Sequence, residues 1–408
     1  MNCRHCGAEL TLPLVDLGTA PPSNAYLSRA QLAAPERYFP LRVFACTGCW
    51  LVQTEDFADR SQLFAGDYAY FSSYSNSWLA HAEAFVDAAV ARFALGTASL
   101  VVEVASNDGY LLQYVKRKHI PCFGIEPTAG TARAAREKGI ETQEAFFGTA
   151  LAQSLSRDGH TADLLIANNV LAHVPDINDF VTGFSHLLRP QGVASFEFPH
   201  LLRLIADCQF DTIYHEHYSY LSLTAVGTIF ERCGLAIFDV DELPTHGGSL
   251  RVYAQRADTG KRDPGPAVAE LIARERAAGL ASPALAVGFQ RRADRIKDGL
   301  LAFLIGQKRA GHTVAGYGAA AKGNSLLNYA GVRSDLLAFV ADASPHKQGS
   351  YLPGSRIPVV NEAVLRDERP AFVLILPWNL RSEIVQQLGY IANWGGRFAT
   401  AVPEMQIS

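Results

Sequence analysis

SLVVEVASNDGYLLQYVKRK, residues 99–118, is the stretch on which the fold class turns. Its opening SLVVEVA (99–105) is a valine-rich apolar run of the length expected for a buried strand. YLLQYVKRK (110–118) then changes to helical spacing, so the turn between them joins a strand to a helix. The alternation continues outward. CFGIEP (122–127) reads as a second strand and TARAAREKG (131–139) as a helix closed by Gly139. LLIANNV (164–170) and VASFEF (193–198) supply further strands. AIFDVDEL (236–243) and SLRVYAQR (249–256) form an antiparallel hairpin at the far end of the same sheet. This pattern predicts an α/β fold with a mainly parallel, doubly wound sheet and helices on both faces.

Both flanks differ from this centre. Residues 1 to about 80 hold short extended pieces, prolines and little helical periodicity. DTGKRDPGP (258–266) is a linker by composition, and Ala267 to Gln307 reads as one or two long helices. The α/β pattern then restarts in TVAGYG (313–318), LLAFVAD (336–342), FVLILP (372–377) and FATAVP (398–403). Three modules are expected: a small metal-binding domain over 1–80, a central α/β domain over 81–260 and a smaller α/β domain over 261–408.

A chain of 408 residues with 49% hydrophobic and 19% charged residues is globular and well removed from disorder. Its net charge of −4 offers no field to draw nucleic acid or an anionic membrane. No apolar run is long enough to span a bilayer, and MNCRHCGAEL lacks the layout of a signal peptide. The expected setting is the cytoplasm, and the expected state a monomer.

Four of the seven cysteines, Cys3, Cys6, Cys46 and Cys49, form two Cys-x-x-Cys pairs. Four soft thiolates favour tetrahedral zinc and leave no open coordination position, so the site is expected to be structural. An iron–sulfur cluster uses the same ligands. Cys122, Cys208 and Cys233 lie in apolar surroundings and are expected to pack.

The first strand ends in EVASNDG (103–109), at the switch point where doubly wound sheets bind ligands. Glu126 ends the second strand, where a carboxylate can take both ribose hydroxyls, and the dinucleotide pattern G-x-G-x-x-G is absent. The layout resembles motif I of the class I methyltransferases, with Ala105-Ser106-Asn107 in place of the usual Gly-x-Gly. By that resemblance the central domain binds S-adenosylmethionine. Glu103, Ala105, Ser106, Asn107 and Gly109 would hold the methionine portion and Glu126 the ribose. Phe146 or Phe147 would flank the adenine, and Asn168 would lie near the methionyl group.

DTIYHEHYSY (211–220) concentrates ionisable and phenolic groups beyond what packing requires. Together with the cysteine pairs, VEVASNDG (102–109) and GSYLPG (349–354), it resembles the sugar C-methyltransferases of deoxysugar biosynthesis. That resemblance implies a TDP-linked 4-keto hexose methylated at a carbon beside the ketone, mostly C3. Such a carbon needs a base to remove its proton and a donor to stabilise the enolate oxygen. The family's motif makes His217 the base, Tyr214 and His173 candidates for enolate contact or proton handling, and Glu216 an orienting group. One of His215 and His217 is expected to be structural. Tyr68, in DYAYFSSYS (67–75), matches the family's tyrosine that reaches toward the sugar, with Tyr70 competing.

In the last module GYGAAAKGN (316–324) follows a strand and opens a helix, with Asp342 ending the next strand. Taken alone this suggests a nicotinamide dinucleotide and an oxidoreductase or epimerase of nucleotide sugars. The family resemblance instead implies that the module holds the sugar's nucleotide diphosphate, with Lys322, Asn324, His346 and Lys347 as contacts. An O- or N-methyltransferase remains a competing reading, separated only by the need to deprotonate carbon.

Overall fold

The computed structural model describes residues 1–57 and 71–408. Tyr68 and Tyr70 lie outside the described residues. Among the described residues there are three sheets. The first has the order β1 (Leu12–Ala20), β2 (Phe39–Ala45), β3 (Val52–Thr54) and β9 (Ser219–Tyr220), all antiparallel. Its last strand comes from the tyrosine- and histidine-rich segment, with Val52 opposite Tyr220 and Gln53 opposite Ser219. The N-terminal module is therefore stitched to the central one through the segment richest in ionisable groups.

The second sheet has the order β10 (Leu235–Leu243), β11 (Ser249–Arg256), β8 (Leu188–Pro199), β7 (Ala162–Asn168), β4 (Val101–Val104), β5 (Cys122–Ile125) and β6 (Thr142–Gln143). β11 runs antiparallel to both its neighbours, as the hairpin reading requires, and β4 to β8 are parallel. The order reverses between β4 and β7, which opens a crevice at their carboxyl ends. All four residues of β4, including Glu103, are buried, because helices cover both faces.

The helix Asn76–Phe93 begins at Ser75, whose side chain accepts from the Trp78 N–H, and ends at Ala94 in the left-handed conformation. It runs across residue 80 and buries Ala82, Phe85, Val86 and Ala89 in a cluster with Val101, Leu111 and Val115 of the central domain.

The stretch expected to hold one or two long helices forms two, Pro266–Ala277 and Phe289–Arg309. The third sheet has the order β14 (Val359–Val360), β13 (Val340–Ala341), β12 (Val314–Tyr317), β15 (Phe372–Ile375), β16 (Arg397–Thr400) and β17 (Gln406–Ile407). It is parallel except for β17 and has its own switch point between β12 and β15. Among the described residues no helix is long and apolar enough to cross a membrane.

Candidate active site

The four paired cysteines converge. Their Sγ atoms all lie within 4.8 Å of one another, and Cys3–Cys49 and Cys6–Cys46 are each 3.5 Å apart. Ligand bonds of about 2.3 Å to a tetrahedral zinc would place sulfurs at nearly this spacing, so the set fits the metal. Gln53 Nε2 donates to Cys3 Sγ at 3.2 Å while its Oε1 accepts from the Arg4 N–H at 3.0 Å, which fixes the thiolate from outside the ligand set. Gln53 sits on β3, the strand that pairs with β9, so the metal cluster braces the chain just after His217.

At the central switch point the turn after β4 holds Ala105 and Asn107 at φ +57° and +51°, and Gly109 at +74°. Ala105 and Asn107 stand where the methyltransferase motif has glycines, and the backbone keeps the left-handed shape without them. Asparagine tolerates this region, whereas alanine pays a steric penalty of about 1–2 kcal/mol. Gly109 has no such latitude, because a Cβ there would lie 2.4 Å from Ile140 Cδ1.

Among the described residues several polar groups around this crevice are buried with hydrogen-bonding capacity left over: Asn168 Oδ1, the side-chain amide atoms of Asn169 and, apart from the approach of the Tyr110 hydroxyl, the Glu103 carboxyl. Burial pushes the Glu103 carboxyl well up, and the Tyr110 hydroxyl opposes this by favouring the charged form. A buried carboxyl awaiting a cationic donor and amides awaiting polar partners fit the ammonium and carboxylate of a methionine moiety.

Other residues expected at the cofactor have internal duties. Glu126 accepts from the backbone N–H of Asn107 (3.0 Å) and of Thr128 (2.9 Å), so it ties the turn to the second strand. Burial nonetheless raises its carboxyl above the usual range. Asn107 Oδ1 accepts from the Ser72 N–H at 2.9 Å, which closes the start of the Asn76–Phe93 segment over the turn. Ser106 turns away to pack on β5: a Cβ on Gly124 would meet its Oγ at 2.5 Å. The two phenylalanines separate. Phe147 belongs to the core, edge-on to Phe180 and Phe184 at 5.5 and 5.3 Å, and so is removed from the adenine candidates; Phe146 is 42% exposed.

The Tyr-His-Glu-His segment separates its two histidines through a turn, in which the His217 N–H donates to the Tyr214 carbonyl at 2.9 Å; in an extended segment positions 215 and 217 would share a face. His215 is buried, its ring edge-on to Phe39 and its Nε2 near the carbonyls of Phe39 (3.3 Å) and Pro40 (3.2 Å), so it anchors β2. His217 faces the crevice. Its Nδ1–H donates to the Thr212 carbonyl at 2.8 Å, which fixes the tautomer and leaves Nε2 as the lone pair. The Tyr214 hydroxyl donates to that Nε2 at 2.7 Å. His173 stands edge-on to His217 with ring centres 4.6 Å apart and donates from Nδ1 to the Glu216 carbonyl at 2.8 Å. Burial, then the adjacent His173 imidazole, holds His217 well below the usual imidazole range, and burial lowers His173 to about 4. Both rings are thus neutral at pH 7. Glu216 is fully buried and accepts from the Asn24 N–H (3.2 Å) and side-chain amide (3.3 Å), so it orients the N-terminal module.

Further groups at this end of the crevice had no sequence signal. Glu197 at the end of β8 is fully buried and bonds His81 (2.9 Å), Thr245 (3.1 Å) and Arg251. Trp78 stacks on His81 at 4.9 Å and leans on His246 at 5.2 Å. His246, at the tip of the β10–β11 hairpin, has φ +55° and is lowered to about 4 by burial. These residues come from four separate segments, so no local spacing marks them.

The C-terminal candidates scatter. Asn324 is buried and donates to the Ser23 carbonyl at 2.6 Å. Lys347 donates to the Ala319 carbonyl at 2.8 Å. His346 stacks on Phe71 at 5.3 Å and meets the Tyr74 hydroxyl at 3.1 Å. Lys322 donates to Asn379 Oδ1 at 2.6 Å beside Trp378, whose indole in turn donates to Asp211 of the central domain at 2.7 Å. The glycines of this turn have packing causes: a Cβ on Gly318 would meet Pro377 Cδ at 2.5 Å, and one on Gly323 would meet Leu376 at 2.8 Å. Asp342 Oδ2 accepts from the Ala319 N–H at 2.7 Å, so it braces the turn instead of waiting for a ribose.

The chain is similar to known proteins along its whole length. Residues 3–64 match a zinc binding domain family, 78–240 a methyltransferase domain family and 244–403 the family described as C-methyltransferase C-terminal domain. The C-methyltransferase NovU of Streptomyces niveus is 36% identical over 406 residues, covering 100% of this chain and 96% of that one. Among solved structures, magnesium protoporphyrin IX methyltransferase from Synechocystis PCC 6803 is 16% identical with a TM-score of 0.36, covering 50% of this chain and 100% of its own. PH0226 protein from Pyrococcus horikoshii OT3 is 14% identical with a TM-score of 0.38, covering 49% and 99%. With a whole-length relative at this identity, cysteines arranged for zinc and a switch point suited to S-adenosylmethionine, the chain belongs to the sugar C-methyltransferase family and is an S-adenosylmethionine-dependent C-methyltransferase.

Proposed function

We propose that the enzyme methylates the carbon beside the ketone of a TDP-linked 4-keto-deoxyhexose, with C3 as the first position to test, through an enolate generated by His217. The observation that carries this reading is the His217 environment: a tautomer set by the Thr212 carbonyl and a neutral Nε2 capped by the Tyr214 hydroxyl. A neutral imidazole in a desolvated crevice is ready to accept a proton. The Tyr214 hydroxyl can turn from Nε2 to the keto oxygen as negative charge develops there. His173 packs against the base and limits its rotation. Glu103, Asn168 and Asn169 would hold the methionine end of S-adenosylmethionine, and Glu126 would hold the turn that contacts it. That cofactor supplies an electrophilic methyl group on a sulfonium. Tyr68 is retained as a candidate contact to the sugar. The C-terminal module would carry the nucleotide diphosphate, with Asn324, His346 and Lys347 shaping the loops around it. An O- or N-methyltransferase needs no carbon base, and the Tyr214–His217 pair favours the carbon reaction.

The test is incubation with S-adenosylmethionine and TDP-4-keto-deoxyhexoses in D2O, following mass and the hydrogens at C3 and C5. One methyl should be gained on carbon with loss of an α-hydrogen. His217→Ala should lower transfer by about 10²–10⁴-fold while leaving cofactor binding in place. Methyl uptake on oxygen or nitrogen with every α-hydrogen retained would refute the proposal.

A further inference from the structure

We propose that Lys322, carried by the C-terminal domain, is a catalytic residue whose ammonium receives the enolate oxygen, so that the third sheet completes the reaction centre of the second. The inference rests on the function proposed above. Lys322 lies in the first turn of the helix Ala321–Tyr329, which packs on the segment bearing the base: Ser325 Oγ donates to the Ile213 carbonyl at 2.7 Å. The Lys322 Nζ is 4.6 Å from the Trp378 ring centre. The same indole donates from Nε1 to Asp211 Oδ2 at 2.7 Å, and its far edge lies 2.5 Å from where a Cβ on Gly247 would stand, beside His246. Lys322 is therefore wedged between the base-bearing segment and the hairpin tip.

Its bonding is incomplete. An ammonium has three N–H donors. One goes to Asn379 Oδ1, and among the described residues no carboxylate is within ion-pairing distance. Asp211, fully buried, acts on it only from further away and is itself held to the indole. Burying a cation without a direct counter-charge is costly, and an oxyanion formed during turnover would remove that cost. Lys322 adds to what burial already does at both rings, as the second contribution disfavouring protonation of His246 and the smallest at His217.

In the step assigned to it, the C–H bond beside the ketone breaks and its proton passes to His217 Nε2. The electron pair becomes the C=C bond and the keto oxygen takes the negative charge beside the ammonium. No electrons leave the substrate, and Lys322 keeps its proton.

The experiment measures deuterium uptake at C3 and C5 of saturating TDP-4-keto-6-deoxyglucose without S-adenosylmethionine, and TDP binding by calorimetry, for wild type and Lys322→Gln. Uptake should slow by about 10²–10³-fold, the usual effect of removing an oxyanion donor, with TDP affinity within twofold. Lys322→Arg should restore part of the rate. Asn379→Leu, which loosens the ammonium without removing it, should slow uptake less. A tenfold loss of TDP affinity with unchanged uptake at saturation would make Lys322 a diphosphate contact and overturn the proposal. Histidine NMR titration of wild type and Lys322→Gln supplies a readout that needs no sugar, and the His217 signal should titrate at higher pH in the variant. An unmoved His217 overturns the proposal whatever the sugar. Absence of exchange in wild type with a shifted His217 would instead overturn the substrate reading.

Discussion

The central and C-terminal modules each place a glycine-bearing turn at the switch point of a doubly wound sheet, yet the two turns are finished in opposite ways. After β4, Glu103, Asn168 and Asn169 are left with unmet hydrogen-bonding capacity around the crevice. After β12, Asp342 takes the Ala319 N–H, while Lys347 and Tyr26 both donate to the Ala319 carbonyl at 2.8 and 2.5 Å. Pro377 fills the space that Gly318 leaves open. Topology alone makes both turns candidates for a ligand. Hydrogen-bond accounting separates them: the first leaves buried groups unmet around the crevice, whereas the backbone of the second is braced by its own chain and only Lys322 and Asn324 Oδ1 keep unmet capacity there.

The sharpest way to break this contrast is to add one methyl group to each turn. Gly109→Ala and Gly318→Ala both force a left-handed alanine into contact, with Ile140 and Pro377 respectively. Each should lose about 2–4 kcal/mol in urea unfolding. Only Gly109→Ala should weaken S-adenosylmethionine binding in calorimetry beyond what its loss of folded protein explains. Equal weakening by both would show that the turns are not functionally distinct.

Acidification gives a smaller effect that belongs to the central site. His173 titrates at about 4 when folded against 6.5 in its ordinary state, so the unfolded chain binds its proton first as pH falls. Its stabilising contribution is complete above pH 6.5 and is lost progressively toward pH 4. Between pH 7 and pH 5, His173→Gln should therefore gain on wild type by about 1–2 kcal/mol in unfolding free energy. Asp211 has the opposite sign: burial raises it to about 6, the folded state binds its proton first, and it adds stability as pH falls toward 3.8. Asp211→Asn should accordingly lose ground to wild type over the same interval. Parallel pH curves for wild type and both variants would contradict the burial of these groups.

The smallest expected change tests the missing glycine of the motif. Ala105→Gly relieves a left-handed alanine but adds freedom to the unfolded chain, so thermal unfolding should register a gain of about 0.5–1 kcal/mol. A loss of stability would mean that the alanine methyl packs usefully and that φ +57° carries no strain there.

Much of the fold was legible locally. Apolar runs of strand length placed β4, β5, β7, β8 and the β10–β11 hairpin in one sheet, and the restart after residue 310 announced the third sheet. The paired cysteines announced their own convergence. The pairing of β3 with β9 was invisible, because two-residue strands leave no periodicity and their partners lie far apart in sequence. Phe147 went to the core because a phenylalanine beside a strand end satisfies packing and stacking equally well on paper.

By itself, then, the sequence determined the module types, the cysteine ligand set and the segment rich in histidine and tyrosine, since each is written in residues close together or spaced by a local period. Tertiary structure alone decided that His217 rather than His215 faces the crevice, that Lys322 turns inward while Asp342 braces its own turn, and that Glu197, His81, Arg251 and His246 gather nearby. Those outcomes depend on which distant segments meet, and on whether a buried polar atom finds its partner there or is left to find it in a ligand.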